Sequence, residues 1–585
     1  MDELIIGSFC LVALTTLAVA LAIKGALRGK ETRAKLPPGP WNLPIIGSLH
    51  HLVGAPPHRA LLRLARRHGP LMLVRLGEVP TVVVSSPEAA MEVLKTRDPA
   101  FASHPRSVTL DIASSGGKGI ILAPYGEHWR QVRKICVVEL LSARQVQRLE
   151  SIRQDEVRRL VESIASTSTS INLTQALEAL TNDIIARAVF GGRCRQQGEY
   201  LRLLKEVTTL VAGFNLVDLF PSSRLVRWLT TTERRLRKSH DQMGRIVDSI
   251  IEERRLEKEK ASLSRSAGAK DEDDFLDVLL RLHKDDTLTV PLTTEIIGAI
   301  ISDLFGAATD TTASTLEWAM VELIKNPRAM MRAKQEVRNT FGHTRSTLTS
   351  ADSSELPYLR MVIKETLRLH PAAALILRAN EESCHLMGYD IPQGTPVFIN
   401  TFAVARDPQH WDDADEFKPE RFENNGADIR ATIAHLGYIP FGVGRRQCPG
   451  ALFATTTMKL TLVNLLYHFD WTLPDGEIPE TLDMSEDIFG AASDTTASVL
   501  EWAMVELMRN PTAMERAKQE IRNTLGHRKT AVTSTDVGEV QYLRMVIKET
   551  LRLHPASALI LRANKDSCSI MGYDIPQEKL FYYGL

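Results

Sequence analysis

Phe441-Gly442-Val443-Gly444-Arg445-Arg446-Gln447-Cys448-Pro449-Gly450 is the stretch that decides how the rest of this chain is read. One cysteine, Cys448, stands in a loop with glycines on both sides, Arg446 two residues before it and Phe441 seven before it. A helix-like run, Ala451–Leu466, follows at once. Gly444 and Gly450 permit positive φ and let backbone come close to a flat macrocycle. Amides at the start of the following helix, with a guanidinium nearby, favour Cys448 as thiolate rather than thiol. A thiolate so placed suits a haem iron, onto which it pushes electron density in favour of O–O cleavage. The other reading of a lone cysteine is a buried structural thiol, and the full decapeptide argues against it.

Outward from this loop, composition narrows the class. The chain has 585 residues, with 71 basic and 71 acidic side chains, so its formal net charge is zero. That balance argues against nucleic-acid binding as a main role, and the length allows a large core. Cysteines at 10, 136, 194, 384, 448 and 568 form no CxxC pair, so neither a zinc site nor a disulfide framework is expected. Near the start, Leu4–Ile23 is an uncharged apolar run. About 20 such residues span a bilayer core. Lys24, Arg28, Lys30, Arg33 and Lys35 follow, which by the positive-inside rule puts the next domain in the cytosol. A cleaved signal peptide is the other reading, but it would have a shorter apolar region preceded by basic residues. Leu36-Pro37-Pro38-Gly39-Pro40 then reads as a stiff extended arm.

From Trp41 to about Asp483 helical periodicity dominates, as in Ala143–Ser163, Thr230–Lys258 and Ile296–Lys325. Strand-like runs are short: Leu71–Leu76, Thr81–Ser85 and Val397–Asn400. Lys258–Asp274, rich in charge, Ser, Gly and Ala, reads as a solvated loop. Phe214–Arg227 is apolar and aromatic, broken by Pro221, and the residues themselves suit core packing. Asp303–Gln393 recurs as Asp487–Gln577 at a constant offset of 184 without a gap, and Tyr358–Pro371 matches Tyr542–Pro555 residue for residue. The period is far too long for a solenoid. The copy has no haem cysteine of its own, so no second site is expected from it.

The pattern Phe-x-x-Gly-x-Arg-x-Cys-x-Gly is the haem-binding signature of the cytochrome P-450 family, and the opening decapeptide resembles it at all five fixed positions: Phe441, Gly444, Arg446, Cys448 and Gly450. The resemblance covers about 37–486, with the motifs in the family's order. It implies a mainly α fold with a small β region, preceded by one N-terminal transmembrane helix. For Phe214–Arg227 the resemblance implies a membrane-facing substrate entrance. Residues 1–35 are then the anchor and its basic flank, 36–486 the haem domain, 487–577 a partial duplicate of 303–393, and 578–585 a tail. In the family a terminal β-hairpin follows Leu482-Asp483-Met484; here the copy begins instead, and poor packing with protease sensitivity is expected near 484–490.

The resemblance also implies roles for individual residues. Cys448 is the iron ligand. Asp310 and Thr311, in Ala307-Ala308-Thr309-Asp310-Thr311-Thr312, are the acid–alcohol pair that delivers protons. Ala308 stands where the family usually has glycine, and its methyl is expected to narrow the oxygen groove without closing it. Trp129, Arg133, Arg378 and Arg446 serve the haem propionates. Arg378 departs from its family context through Leu377 and Ala372–Ala374, where prolines are common. Glu365 and Arg368, paired with Arg421 of Pro419-Glu420-Arg421-Phe422, form a structural brace. Arg130, Lys134 and Arg445 suit either a dock for an acidic electron donor or plain solvated charge. His128, His370 and His435 sit in no ligand constellation.

Lys364–Pro371 and Met387–Pro392 are phrased like the plant microsomal group that oxidises terpenoids and other specialised metabolites. The implied activity is insertion of one oxygen atom from O2 into an apolar small molecule. The implied cofactor is haem b (iron protoporphyrin IX), fed by NADPH through NADPH-cytochrome reductase, on the cytosolic side of the endoplasmic reticulum membrane. Two alternatives stand beside it: a haem protein or fused gene product impaired by the copied C-terminus, and a haem enzyme that rearranges hydroperoxides.

Overall fold

The computed structural model describes residues 35–473, apart from 168–169, 194–195, 213, 264–273, 286–287, 343–347, 350–355 and 424–436, and isolated pieces between 510 and 584. The apolar run Leu4–Ile23, the region 484–490 and the start of the copied segment lie outside the described residues. Among the described residues no helix is long and apolar enough to cross a membrane.

A small sheet opens the described chain. β1 (Leu71–Leu76) and β2 (Val79–Val84) form an antiparallel hairpin. The proline arm lies along it: the Leu73 N–H donates to the Pro38 carbonyl at 2.8 Å. Gly39 is required there, because a Cβ would fall 1.9 Å from the Leu73 carbonyl oxygen. Phe214, Leu216, Leu219 and Phe220 pack under the same hairpin, so core packing is the reading that holds for this part of Phe214–Arg227.

Helices make up most of the rest. α1 (Glu127–Lys134) carries the Trp129–Arg133 pair on consecutive turns. The run Ala143–Ser163, expected as one helix, is two: Ala143–Arg148 and α2 (Glu150–Ser166). The buried Arg153 guanidinium donates to the Val146 carbonyl at 2.7 Å, taking the acceptor that a continuous helix would offer to the Glu150 N–H. α3 (Leu173–Phe190) follows. Next, Thr232–Leu263 runs past Lys258 into the stretch expected to be loop. Arg254 and Lys258, four apart and therefore on one face, grip Asp274 and Asp277 at the start of the next helix and support the extra turns.

The expected helix Ile296–Lys325 is broken into α4 (Thr294–Ala308) and α5 (Asp310–Lys325), with Thr309 at φ −76°, ψ −75° between them. The Thr309 hydroxyl donates back to the Phe305 carbonyl at 3.0 Å and the Thr311 hydroxyl to the Ala307 carbonyl at 2.6 Å. Side-chain hydroxyls that take backbone acceptors loosen the ladder at this point. α6 (Pro327–Phe341) and α7 (Pro357–Leu369) each start on a proline, which tolerates the first helical turn.

The second limb of the sheet is β3 (Leu375–Ala379), then the short hairpin β4 (Cys384–Leu386) and β5 (Tyr389–Ile391), then β6 (Pro396–Asn400). The four-stranded order is β1-β2-β6-β3, with β6 parallel to β2 and antiparallel to β3. α8 (Ala451–His468) closes the core, with the eleven residues from Thr457 to Tyr467 buried except Lys459.

In the C-terminal pieces, β7 (Leu559–Ala563), β8 (Cys568–Ile570), β9 (Tyr573–Ile575) and β10 (Leu580–Gly584) stand at the offset of 184 from β3 to β6. β10 pairs with β7 in the register in which β6 pairs with β3, although sequence identity stops at Gln577. The tail expected at 578–585 is therefore largely a strand. Phe581-Tyr582-Tyr583 supplies the aromatic residues that suit one.

Candidate functional site

The site is built from the Cys448 loop. The Cys448 N–H donates to the Phe441 carbonyl at 2.8 Å, closing the turn. Gly442 and Gly444 have φ of 66° and 79°. A Cβ at Gly444 would lie 2.1 Å from the Leu94 carbonyl oxygen, so this position needs glycine twice over. Gly450 differs from its expectation: its φ is −86° and it caps α8. A Cβ there would stand 3.9 Å from the Cys448 sulfur, an ordinary contact, so space alone does not require glycine at this position. Asp98 anchors the loop from outside, accepting both the Arg445 N–H and its guanidinium at 2.9 Å.

Cys448 is hemmed in by protein yet accessible, as a side chain on the wall of a cleft must be. Burial raises its thiol pKa; the Gly450 and Ala451 amides and the Arg133 guanidinium work against that. The cation that acts on the sulfur is thus Arg133 from α1, not the sequence neighbour Arg446. On α4, Ala307 is exposed although Leu304 and Phe305 beside it are buried, so an open space faces the helix at that turn. Ala308, expected to narrow the groove, packs against the core.

Arg133, Arg378 and Arg446 gather beside the cleft. Among the described residues none of them pairs with a carboxylate. Arg446 donates to the backbone carbonyls of Ala102, Ile120, Ile121 and Ala123 and lies 4.2 Å over the Trp129 ring. Arg378, on β3, reaches His104 Nε2 at 2.9 Å and its own chain at Leu377. Burial, then each other's charge, pushes Arg446 down to about 9, while burial alone brings Arg378 down to about 10. The nearest acids, Asp98 and Glu381, only partly offset this. His104, held well below its ordinary pKa by burial and by Arg378 and Arg446, has Nδ1 buried with no protein partner. The Trp129 indole N–H is committed to the Ile120 carbonyl at 3.1 Å. Buried cations without a counter-charge are costly. Such a group of buried cations, with an unpartnered ring nitrogen beside it, has the chemistry to receive an anionic group near Cys448. The sequence reading found the three arginines but not His104, whose neighbours come from β3 and the Cys448 loop.

Asp310 and Thr311 point to different places, as adjacent helical residues do. Thr311 lies one turn from Ala307, on the cleft side. Asp310 is raised by burial first and by Glu178 of α3 next, with Lys205 lowering it. Glu178 and Lys205 meet at 3.4 Å, and Thr174 bonds Glu317 beside them. Glu178 and Lys205, whose charges act on Asp310, come from other helices and left no mark in the local sequence. The brace does form: Arg368 grips Glu365 through two bonds of 2.8 Å, and Arg421 Nε and the Lys418 N–H join Glu365 Oε1 at 2.9 Å. His128 bonds the Lys118 carbonyl and His370 stacks on Trp318 at 3.6 Å; His435 lies outside the described residues. A separate cavity of about 480 Å³ lies between 108–116 and the helices at 224–229 and 232–263. Its lining is charged, with Asp111, Arg227, Glu233, Arg237 and His240, and includes none of the candidate site residues.

Comparison with known proteins agrees with this geometry. The family described as Cytochrome P450 matches residues 37–486 and, again, 480–583. The chain is 45% identical over 476 residues to desmethyl-deoxy-podophyllotoxin synthase of Sinopodophyllum hexandrum, covering 81% of this chain and 92% of that protein. It is 46% identical over 454 residues to premnaspirodiene oxygenase of Hyoscyamus muticus, covering 77% and 89%. A zebra fish cytochrome P450 solved with progesterone superposes with a TM-score of 0.62 at 25% identity, over 73% of this chain and 95% of that one. The family implies a haem iron, and the residues fit it: a sulfur ligand on one wall, and three uncompensated guanidiniums with an orphaned histidine N–H where acid groups would sit. The chain belongs to the cytochrome P450 family.

Proposed function

We propose that this protein is a haem-thiolate monooxygenase that inserts one atom of O2 into an apolar plant specialised metabolite such as a terpenoid. Haem b is the cofactor and NADPH the electron source, through a membrane-bound reductase. The observation that carries this is Cys448 with the cations Arg133, Arg378 and Arg446 gathered near it, none of the three paired with a carboxylate among the described residues. The plant relatives, one an oxygenase named for premnaspirodiene and one a synthase, support the substrate class.

Haem, when bound, supplies the dioxygen and one-electron chemistry. The chain's own residues do the rest. Cys448 offers its sulfur, with the Gly450 and Ala451 amides turned toward it to stabilise negative charge. Arg133, Arg378 and Arg446 would hold the acid groups and gain a counter-charge, and His104, neutral, would donate from its unpartnered Nδ1. Thr311 presents its hydroxyl oxygen at the cleft while its proton rests on the Ala307 carbonyl. Asp310, whose raised pKa brings it nearer neutrality, can pass protons inward from Glu178 and Lys205. Ala307 and Ile121 add apolar surface that excludes water. Outside, Arg130 and Arg445 both lie over the Tyr125 ring, and with Lys134 on the same α1 they make a basic patch suited to an acidic electron donor. The run Leu4–Ile23 supports a single-pass anchor in the endoplasmic reticulum, with this patch facing the cytosol.

The test is the absorption spectrum of the reduced, carbon-monoxide-bound protein. The unaltered chain is expected to show the red-shifted Soret band of a thiolate-ligated haem, and Cys448→Ala to lose it. Retention of that band in Cys448→Ala would overturn the reading. Thr311→Ala is expected to keep the band but lower product formed per NADPH consumed, with Thr311→Ser restoring it. Carbonate extraction of membranes carrying the full chain checks the anchor.

A further inference from the structure

We propose that Asp303 is a positioning residue of the reaction pocket: its carboxylate pins the backbone of Gly119–Ile121 and so sets where the Ile121 side chain stands in the cleft, and with it which apolar ligands fit. This rests on the haem-pocket reading above and assigns the shape of one wall to a residue outside the acid–alcohol pair. Asp303 lies on α4, about two turns before Asp310. It accepts the Ile121 N–H at 3.0 Å and also the Ile120 N–H. Its carboxyl is enclosed, and burial pushes its pKa up to about 6 against those two bonds.

The partner loop is shaped to receive it. A Cβ at Gly119 would fall 2.1 Å from Asp303 Oδ2, so only glycine admits the carboxylate at this distance. The same peptide units are held from the other side: the Ile120 carbonyl by Trp129 and Arg446, and the Ile121 carbonyl by Arg446. Gly119–Ile121 is therefore stretched between the α4 wall and the Cys448 loop wall. Ile121 remains 40% exposed although its backbone is engaged on both sides. Asn at 303 would not reproduce the clamp, since it offers one carbonyl oxygen and turns an NH2 toward an amide donor.

Hydrogen exchange and ligand titration together test this. In Asp303→Asn the Ile120 and Ile121 amides are expected to exchange about tenfold faster or more. The purified protein is then titrated with imidazole, the small probe, and with 4-phenylimidazole, which adds an apolar ring to it; both are read at the Soret band. The 4-phenylimidazole Kd is expected to change about tenfold while imidazole stays within about twofold. Gly119→Ala is expected to reproduce the shift in the ratio of the two constants. The double variant is expected to add little, because both changes remove one contact. An unchanged ratio, or equal weakening of both probes, overturns the proposal while leaving the haem site standing. Failure of the unaltered chain to respond to imidazole overturns the haem-pocket reading and this proposal with it.

Discussion

At the scale of single residues, the cleft is organised by charges that the protein does not neutralise. Arg378 shows this best: it is buried, and its described partners are a histidine nitrogen and its own backbone. Arg378→Met is therefore expected to leave the haem-free protein as stable as before, or more so, because a desolvated cation is removed. The same change is expected to speed haem loss about tenfold, read by transfer to apomyoglobin, because a guanidinium–carboxylate contact is gone. A second residue sets a pH response away from the cleft. His58 is 1% exposed, and burial with the nearby Arg59 and Arg406 brings its pKa down to about 4. Between pH 6.5 and 4 the unfolded chain takes up a proton there and the folded one does not, so stability falls as pH falls through that window. The loss is about 3 kcal/mol. His58→Gln should flatten this acid limb; urea midpoints measured from pH 4 to 7, compared with the unaltered chain, check it.

At the scale of elements, two features were legible in advance for different reasons. The Glu365–Arg368 spacing places both side chains on one face of α7, and the structure buries both completely and adds Arg421. Arg368 also donates to the Ala405 and Ala414 carbonyls at 2.7 Å, so its fork ties three segments together. Arg368→Lys keeps the charge but not the fork, and is expected to cost about 3–5 kcal/mol of unfolding free energy, measured by denaturant titration. The break between α4 and α5 was less legible. The cluster Thr309-Asp310-Thr311-Thr312 marks the place, but which hydroxyl takes which carbonyl depends on the helix's own dihedrals. The split at Leu149 could not be read at all, because its cause is the side chain of Arg153 turning back from the next helix.

At the scale of the whole molecule, the duplicated segment shows how far identical sequence carries. The copy repeats local contacts of the original. The Tyr542 N–H meets Glu520 at 2.8 Å as the Tyr358 N–H meets Glu336 at 2.7 Å, and Arg516 lies over Tyr542 as Arg332 lies over Tyr358. The copied sequence ends at Gln577, before any counterpart of Arg421 or of the Cys448 loop. Every described member of the cation socket, and the cysteine it serves, lies between Asp98 and Ala451. A chain ending at Glu486 is therefore expected to keep the carbon-monoxide-bound Soret band per mole of protein. Loss of the band would mean that the copied segment completes the haem domain.

What the sequence determined by itself was local: the turn around Cys448, the positive φ of Gly444 though not of Gly450, the Glu365–Arg368 face, the hydroxyl cluster in the α4–α5 run and the tandem copy. Each is written in residues a few positions apart, where spacing alone decides which side chains meet. The tertiary structure decided which cation acts on the sulfur, that His104 joins the arginines, that the charges of Glu178 and Lys205 act on Asp310, and that Asp303 accepts the Ile121 N–H. Those partners come from elements far apart in the chain. Burial against one another creates their electrostatics, and that burial exists only once the helices and the sheet have closed around the cleft.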